Sequence, residues 1–351
     1  MKLRSIIMKC IQWAAVLPLI YLSSVQTVFA DGFVTGLDSA GSPLSYLPMV
    51  VPTLLPSPLW KLPIYLSFRP LPSEASVRCP NPGNMTSAAA VPDTSQIHYT
   101  GKALILLYHN IDPTESDITI SPQKFEAHLD ALKANHYNVV SLEDLISFLE
   151  GTNDLPPNAV VLTFDDGYSS FYRYVYPDLR QRGITATDFV IVNDLGTHDG
   201  DFRFLDWSQL QEMNCSGFSF YSHSYNLHEL QTGANGNQVS PLANRVYIDG
   251  TDNLETEEQY RTKVLADLML SNVLLQQKLG KQLPILSFPH GEYNQELLDL
   301  AGSIGIHYFA TTNEGINGPG DHLLRRVNAG MPYISGDVLI EKLAGYDDPR
   351  K

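Results

Sequence analysis

The stretch Ala159-Val160-Val161-Leu162-Thr163-Phe164-Asp165-Asp166-Gly167-Tyr168 decides the fold. Its first six residues do not alternate between apolar and polar, as a strand with one wet face would. They form an almost unbroken apolar run, which belongs to a strand covered on both faces in a parallel sheet. The run stops at a polar cluster, and helical spacing follows from Ser170 to Gln181.

The same unit recurs on either side. Upstream, Ala103–Tyr108 (ALILLY) is a second strand of this kind, and Phe125, Leu129 and Leu132 give Pro122–Asn135 the spacing of a helix. Val139-Val140 reads as a short strand and Leu142–Leu149 as a helix. Downstream, strands are expected at Asp188–Val192, Phe218–Tyr221, Ile285–Phe288 and His307–Ala310. Helices are expected at Asp206–Met213, Glu255–Leu279, Gln295–Ser303 and Gly336–Leu343. About seven such βα units suit a TIM-like α/β barrel better than an open doubly wound sheet, which is the alternative. No glycine-rich phosphate loop follows any strand, so a nucleotide site is not expected.

The chain divides into four stretches. Residues 1–30 read as a signal peptide: Lys2, Arg4 and Lys9 open it, Ala14–Tyr21 is apolar, and Val28-Phe29-Ala30 offers small residues for cleavage. The apolar run is broken at Pro18, short for a membrane span, although an uncleaved anchor is the alternative. Residues 31–100 form a Pro-rich extension or linker, with a short strand expected at Trp60–Phe68. The βα pattern fills residues 101–346, and 347–351 are a tail. An exported protein, periplasmic or extracellular and without a stable membrane span once the signal is cleaved, is the expectation. In that setting Cys79 and Cys215 could pair or stay free.

The net charge of −15 becomes −18 after cleavage, because the signal carries three basic and no acidic residues. Such a surface argues against a nucleic-acid partner, which needs cationic side chains. It suits a substrate that is neutral or becomes cationic.

Three polar clusters sit just past predicted strands, at the face where a barrel gathers its active site. They are Thr163–Tyr168 (TFDDGY), Ser222–His228 (SHSYNLH) and Phe288–Asn294 (FPHGEYN). Adjacent aspartates can divide roles, one holding a metal and the other acting as a base, although Asp-Asp-Gly is also good turn sequence. His223 and His228, five residues apart, share no helical face, but a loop could turn both imidazoles to one ion. Two histidines and a carboxylate make a common site for zinc or another divalent transition metal. Two unrelated loop histidines would be the plainer reading of that pair alone.

Taken in order, these motifs resemble those of the polysaccharide deacetylases, the NodB-like carbohydrate esterases. With LLYHNI (residues 106–111) and the histidine spacing, they look most like the branch acting on the biofilm exopolysaccharide poly-N-acetylglucosamine. The resemblance covers residues 100 to 345. It implies a distorted (β/α)7 barrel and a hydrolase that removes acetyl groups from the amide nitrogens of an N-acetylated polysaccharide. Residue by residue, it implies Asp166, His223 and His228 as metal ligands, and Asp165 as the general base toward water activated by the metal. Zinc is the metal expected for that donor set, with cobalt, nickel or iron as alternatives. Pro289, His290 and Gly291 would form the oxyanion turn through the His290 N–H, and Tyr168 and Tyr225 are the aromatic residues expected against sugar rings.

Three departures accompany the likeness. Ser287 stands where many members have an Arg that holds the catalytic aspartate, and Arg326 is the substitute suggested here. The terminal Leu-x-x-His element is replaced by Leu324–Asn328, which has no histidine. The likeness to the poly-N-acetylglucosamine branch implies instead an acid from the first strand, matching His109 in LLYHNI, although a histidine at a strand end could equally be structural. His290 stands where a tyrosine is usual; its imidazole could ligate a second ion or replace the acid. Competing functions are a catalytically inactive glycan-binding module in polysaccharide export, a deacetylase of peptidoglycan, chitin or acetylated xylan, and a glycoside hydrolase. The last needs two carboxylates and no paired histidines.

Overall fold

The structure, a computed structural model, describes residues 35–37, 43–45, 79 and 92–348. The expected signal peptide, the strand at 60–68 and most of the Pro-rich extension lie outside the described residues. Strands Thr35–Leu37 and Pro43–Ser45 pair antiparallel in one compact unit, and the barrel forms another. Each is taken by itself. Among the described residues no helix is long and apolar enough to cross a membrane.

The barrel strands are β1 (Ala103–Tyr108), β2 (Asn138–Val140), β3 (Ala159–Asp166), β4 (Thr187–Val190), β5 (Ser219–Ser222), β6 (Ile285–Ser287), β7 (Tyr308–Ala310), β8 (Ile316–Asn317), β9 (Leu323–Leu324) and β10 (Val327–Asn328). They form one sheet in the order β8-β1-β3-β4-β5-β6-β7-β9, with β10 also on β1 and β2 also on β3. All neighbours run parallel except β8 against β1. The sheet curls round through the chain itself, because β9 pairs with β7 and, two residues later, β10 pairs with β1. A distorted seven-position βα barrel results, with β9 and β10 sharing the seventh position. The distortion has a visible source at β3. Its lower half, Ala159–Val161, pairs with β2 and its upper half, Thr163–Asp166, with β4, on the edge opposite β1.

Among the described residues seven α-helices accompany the strands: α1 (Pro122–Ala134), α2 (Leu142–Leu149), α3 (Tyr176–Arg182), α4 (Trp207–Asn214), α5 (Glu257–Leu279), α6 (Gln295–Ser303) and α7 (Gly336–Ala344). The helix expected over 170–181 is split, because Phe171–Val175 forms a π turn before Tyr176-Pro177 starts α3. Pro177 has no N–H to donate, so it fits the first turn of a helix and not its interior. Serine, threonine and aspartate side chains cap the N-termini of α2, α4, α5 and α7. The segment 229–255 is folded into short antiparallel pairings, Gln231–Thr232 with Gln238–Val239, and Tyr247 with Leu254.

Core packing follows the strand alternation. Leu104, Leu106, Val160, Leu162 and Phe164 pack with Phe125, Leu129 and Leu132 of α1 in the layer between sheet and helices. Ile105, Val161, Phe189, Tyr221, Ala310 and Leu324 form a separate cluster with Leu142, Leu145 and Ile146 of α2. Both faces of these strands are therefore covered, which is why their sequence does not alternate. Cys79 and Cys215 are joined as a disulfide, tying residue 79 to the end of α4.

Leu162 has no exposed surface and lies at the centre of the outer layer. Leu162→Ala is expected to cost about 2–5 kcal/mol, the range for a buried leucine whose cavity does not collapse. Urea unfolding checks this through the midpoint; a loss below about 1 kcal/mol at unchanged slope would mean the layer is looser than described.

Candidate active site

Strand β3 runs two residues further than its apolar stretch suggests, so Asp165 and Asp166 end a strand and do not begin a turn. By alternation Asp165 shares the inner face with Val161 and Thr163. Asp166 would face the helices, but its φ of +82° breaks the alternation, and Gly167 follows at +80°. A non-glycine residue in that region is strained by about 1–3 kcal/mol, a cost typical of functional sites. The turn lets two adjacent carboxylates take different surroundings.

Asp165 faces Arg326, which has no exposed surface. The guanidinium donates from Nη1 to Oδ1 at 2.7 Å and from Nη2 to Oδ2 at 2.8 Å. Its Nε donates to the Thr311 carbonyl at 2.8 Å, and Nη2 also reaches Ser287 Oγ at 3.0 Å. Ser287 Oγ in turn donates to Asp165 Oδ2 at 3.2 Å. Burial acts to raise the Asp165 pKa, but Arg326 and then His223 outweigh it and hold the carboxyl below its usual range. Arg326 thus makes the contact for which the sequence offered no partner at position 287, and Ser287 joins the same cluster.

Asp166 sits among imidazoles. His223, directly after β5, donates from Nδ1 to the Ser287 carbonyl at 3.0 Å, which leaves its Nε2 lone pair facing the carboxylates. That Nε2 lies 3.4 Å from Asp166 Oδ1 and 3.9 Å from Asp165 Oδ2. His228 Nε2 lies 3.2 Å from the same Asp166 Oδ1. Despite these approaches Asp166 Oδ1 is buried and has no aligned hydrogen-bond partner among the described residues. One ligand atom from each of Asp166, His223 and His228 lies within 4.8 Å of the others. An orphaned carboxylate oxygen beside two imidazole Nε2 atoms is a donor set that suits a divalent transition metal. Burial opposes ionisation of Asp166, but His223 and His228 hold its pKa well below the usual range. Burial likewise disfavours charge on His223, yet Asp165 and Asp166 prevail and raise it.

His109 follows β1 and is half-buried; its charge contributes to lowering both aspartates. His290 has φ of +57°, and its Nε2 donates to the His228 carbonyl at 2.8 Å, with the two rings 4.6 Å apart. Its imidazole is therefore at the site, tied to the loop that carries His228. Gly291 and Glu292 donate their N–H groups back to Phe288 and Pro289, leaving the His290 amide outside those turn bonds. Gly291 must be glycine: its φ is +71°, and a Cβ there would meet Thr312 Oγ1 at 2.1 Å. Tyr168 packs between Phe202 and Phe204, ring centroids 5.2 and 5.4 Å away, and is only 9% exposed. Tyr225 is half-buried.

The sequence reading passed over Asp188 in β4, which is buried with no hydrogen-bond partner on either oxygen among the described residues. Burial, and then Asp165 and Asp166, push its carboxyl well above the usual range. A strand of mixed character, Thr187-Asp188-Phe189-Val190, was the only available signal.

Arg326→Ala leaves Asp165 as a buried charge without its partner, and a loss of about 3–5 kcal/mol in urea unfolding is expected. Adding Asp165→Ala should recover much of that loss. A single-variant cost under about 1 kcal/mol, or no recovery in the double variant, contradicts the pairing described.

Comparison with known proteins places this geometry. The sequence profile of the polysaccharide deacetylases matches residues 152–309. YxkH of Bacillus subtilis strain 168, whose name puts it in the same family, is 31% identical over 241 residues, covering 68% of this chain and 74% of that protein. The poly-beta-1,6-N-acetyl-D-glucosamine N-deacetylase of Escherichia coli K12 is 27% identical over 225 residues; the match covers 60% of this chain but only 34% of that longer enzyme. A solved de-N-acetylase from Aggregatibacter actinomycetemcomitans superposes with a TM-score of 0.60 at 27% identity, covering 68% of this chain and 99% of that one. IcaB from Ammonifex degensii, at 24% identity and a TM-score of 0.59 over 70% of this chain and 98% of that one, shares the fold. The chain belongs to the polysaccharide deacetylase family.

Proposed function

We propose that this protein is an exported, metal-dependent deacetylase that removes acetyl groups from the nitrogens of an amino-sugar polymer of the poly-N-acetylglucosamine type. One observation carries the reading: Asp166, His223 and His228 each bring a ligand atom within 4.8 Å of the others, beside an Asp165 gripped by Arg326. The names of the Escherichia coli and Aggregatibacter relatives, both de-N-acetylases, support the bond broken, and the former supports the polymer. The disulfide and the signal-like residues 1–30 support export. The catalytic unit is assigned to residues 101–346, with 31–100 preceding it as an extension.

Asp166, His223 and His228 are the residues that would hold the metal, zinc by the chemistry of its donors. Bound there, a divalent cation would supply Lewis acidity to the acetyl carbonyl and would lower the pKa of a water toward neutrality. Asp165 then accepts a proton from the attacking water. Arg326 and Ser287 keep its oxygens aimed into the site. Water adds to the acetyl carbon, and the His290 N–H faces the oxyanion that develops. His109 donates a proton to the amide nitrogen as the C–N bond breaks, releasing acetate and a free amine. Arg326's contact with Asp165 favours this reading over an inert glycan-binding module.

The full chain should release acetate from N-acetylglucosamine oligomers and lose that activity on chelation; undiminished release from metal-free protein overturns the mechanism. Asp165→Asn should keep zinc and lose turnover, whereas His228→Ala should lose zinc, and equal zinc loss in both would reverse the roles of the aspartates. His109→Gln should lower kcat by about 10²–10⁴-fold with zinc affinity unchanged. Acetate release at the normal rate would remove His109 from the acid role.

A further inference from the structure

His223 and His228 are held very differently. His223 leaves the end of β5, its side chain 2% exposed, with Nδ1 fixed by the Ser287 carbonyl. His228, 23% exposed at its side chain, lies five residues on, beyond any strand. The separation of the two Nε2 atoms therefore depends on the backbone of Ser224-Tyr225-Asn226-Leu227. That backbone is not relaxed, since Ser224 has φ of +87°, a region a serine enters only when its surroundings impose it.

What imposes it is one face of α5. Asp267, 7% exposed, accepts the Tyr225 N–H on Oδ1 at 2.8 Å and the Asn226 N–H on Oδ2 at 2.7 Å. One helical turn later, Ser271 Oγ lies 2.6 Å from Ser222 Oγ, which accepts the Ser224 N–H at 3.2 Å. Ser224 Oγ accepts the Leu227 N–H at 3.2 Å, closing the turn on itself. Two consecutive amides pointing to one side require an acceptor with two oxygens. A carboxylate has them, and its charge makes both bonds stronger than neutral ones. An asparagine has only one, and its NH2 group would oppose the second amide.

We propose that Asp267 is a positioning residue that sets the spacing of the two imidazoles and thereby the affinity of the cation site. Its two bonds to the loop hold His228 where its Nε2 can share an ion with His223 and Asp166. The inference rests on the metal-binding reading above, and touches neither substrate nor ion directly. Groups that orient metal ligands without contacting the metal affect affinity by about 10–100-fold when removed.

The test is a zinc dissociation constant, by competition with a chromophoric chelator, on the full chain and on Asp267→Asn, Asp267→Glu and Leu270→Ala. Leu270 lies on the same helix, 41% exposed, and serves as the control. Asp267→Asn should weaken zinc about 10–100-fold, and Leu270→Ala should leave it unchanged. The cobalt-substituted Asp267→Asn protein should show an altered visible absorption band, which a distant loss of stability would not produce. Should the asparagine variant fail to fold, Asp267→Glu carries the test. It keeps both acceptors on a longer stem, so it should fold, bind zinc more weakly than the parent and shift the cobalt band. A folded Asp267→Asn or Asp267→Glu protein with parental affinity and spectrum overturns the inference alone. A parent chain that binds no zinc overturns the metal reading beneath it.

Discussion

Inside the barrel the fork of Arg326, which has no exposed surface, closes on Asp165, which is only 3% exposed. Taking a guanidinium and a carboxylate out of water costs several kcal/mol per ion, recovered only when the geometry satisfies both. Here the Thr311 carbonyl, Ser287 Oγ and both oxygens of Asp165 meet the Arg326 donors. This constrains three separate elements. Strand β3 must end with Asp165 inward, β6 must bring Ser287 beneath it, and the segment joining β9 to β10 must cross at Arg326. The same pairing that closes the sheet thus fixes the first carboxylate of the site.

Once Asp165 is committed to arginine, its neighbour is left to the imidazoles. The positive φ at Asp166 turns the second carboxylate toward His223 and His228, away from the guanidinium. Two adjacent aspartates, both ionised, would repel each other strongly in a dry interior. The arrangement avoids this by giving each its own cationic or cation-seeking partner, and burial together with the pair pushes the nearby Asp188 carboxyl above its usual range. In the proposed chemistry that division separates the base from the ligand, at a distance of one residue.

Much of this was legible in the sequence, because buried parallel strands announce themselves by unbroken apolar runs. ALILLY and AVVLTF mark β1 and β3, and the polar clusters at their ends mark the mouth of the barrel. The closing strands β8, β9 and β10 were not legible, since two residues each carry no periodicity. Yet Arg326 lies between the last two, so the fold's closure and the partner of Asp165 were hidden together; position 326 could be suggested only by the lack of an arginine at 287. The strain at Asp166, Ser224 and His290 was equally invisible, because none is a glycine and nothing local asks for positive φ there. Asp267 sits in a long helix among ordinary polar residues, and only tertiary contact distinguishes it.

The central claim is that one cation binds where Asp166, His223 and His228 converge. Anomalous diffraction at the zinc edge, from crystals of the full chain grown with zinc, tests it most directly. The account predicts a single strong peak at about 2.0–2.2 Å from Asp166 Oδ1, His223 Nε2 and His228 Nε2, with Asp165 still paired to Arg326. Zinc seated elsewhere, or those three atoms too far apart to share it, would contradict the account.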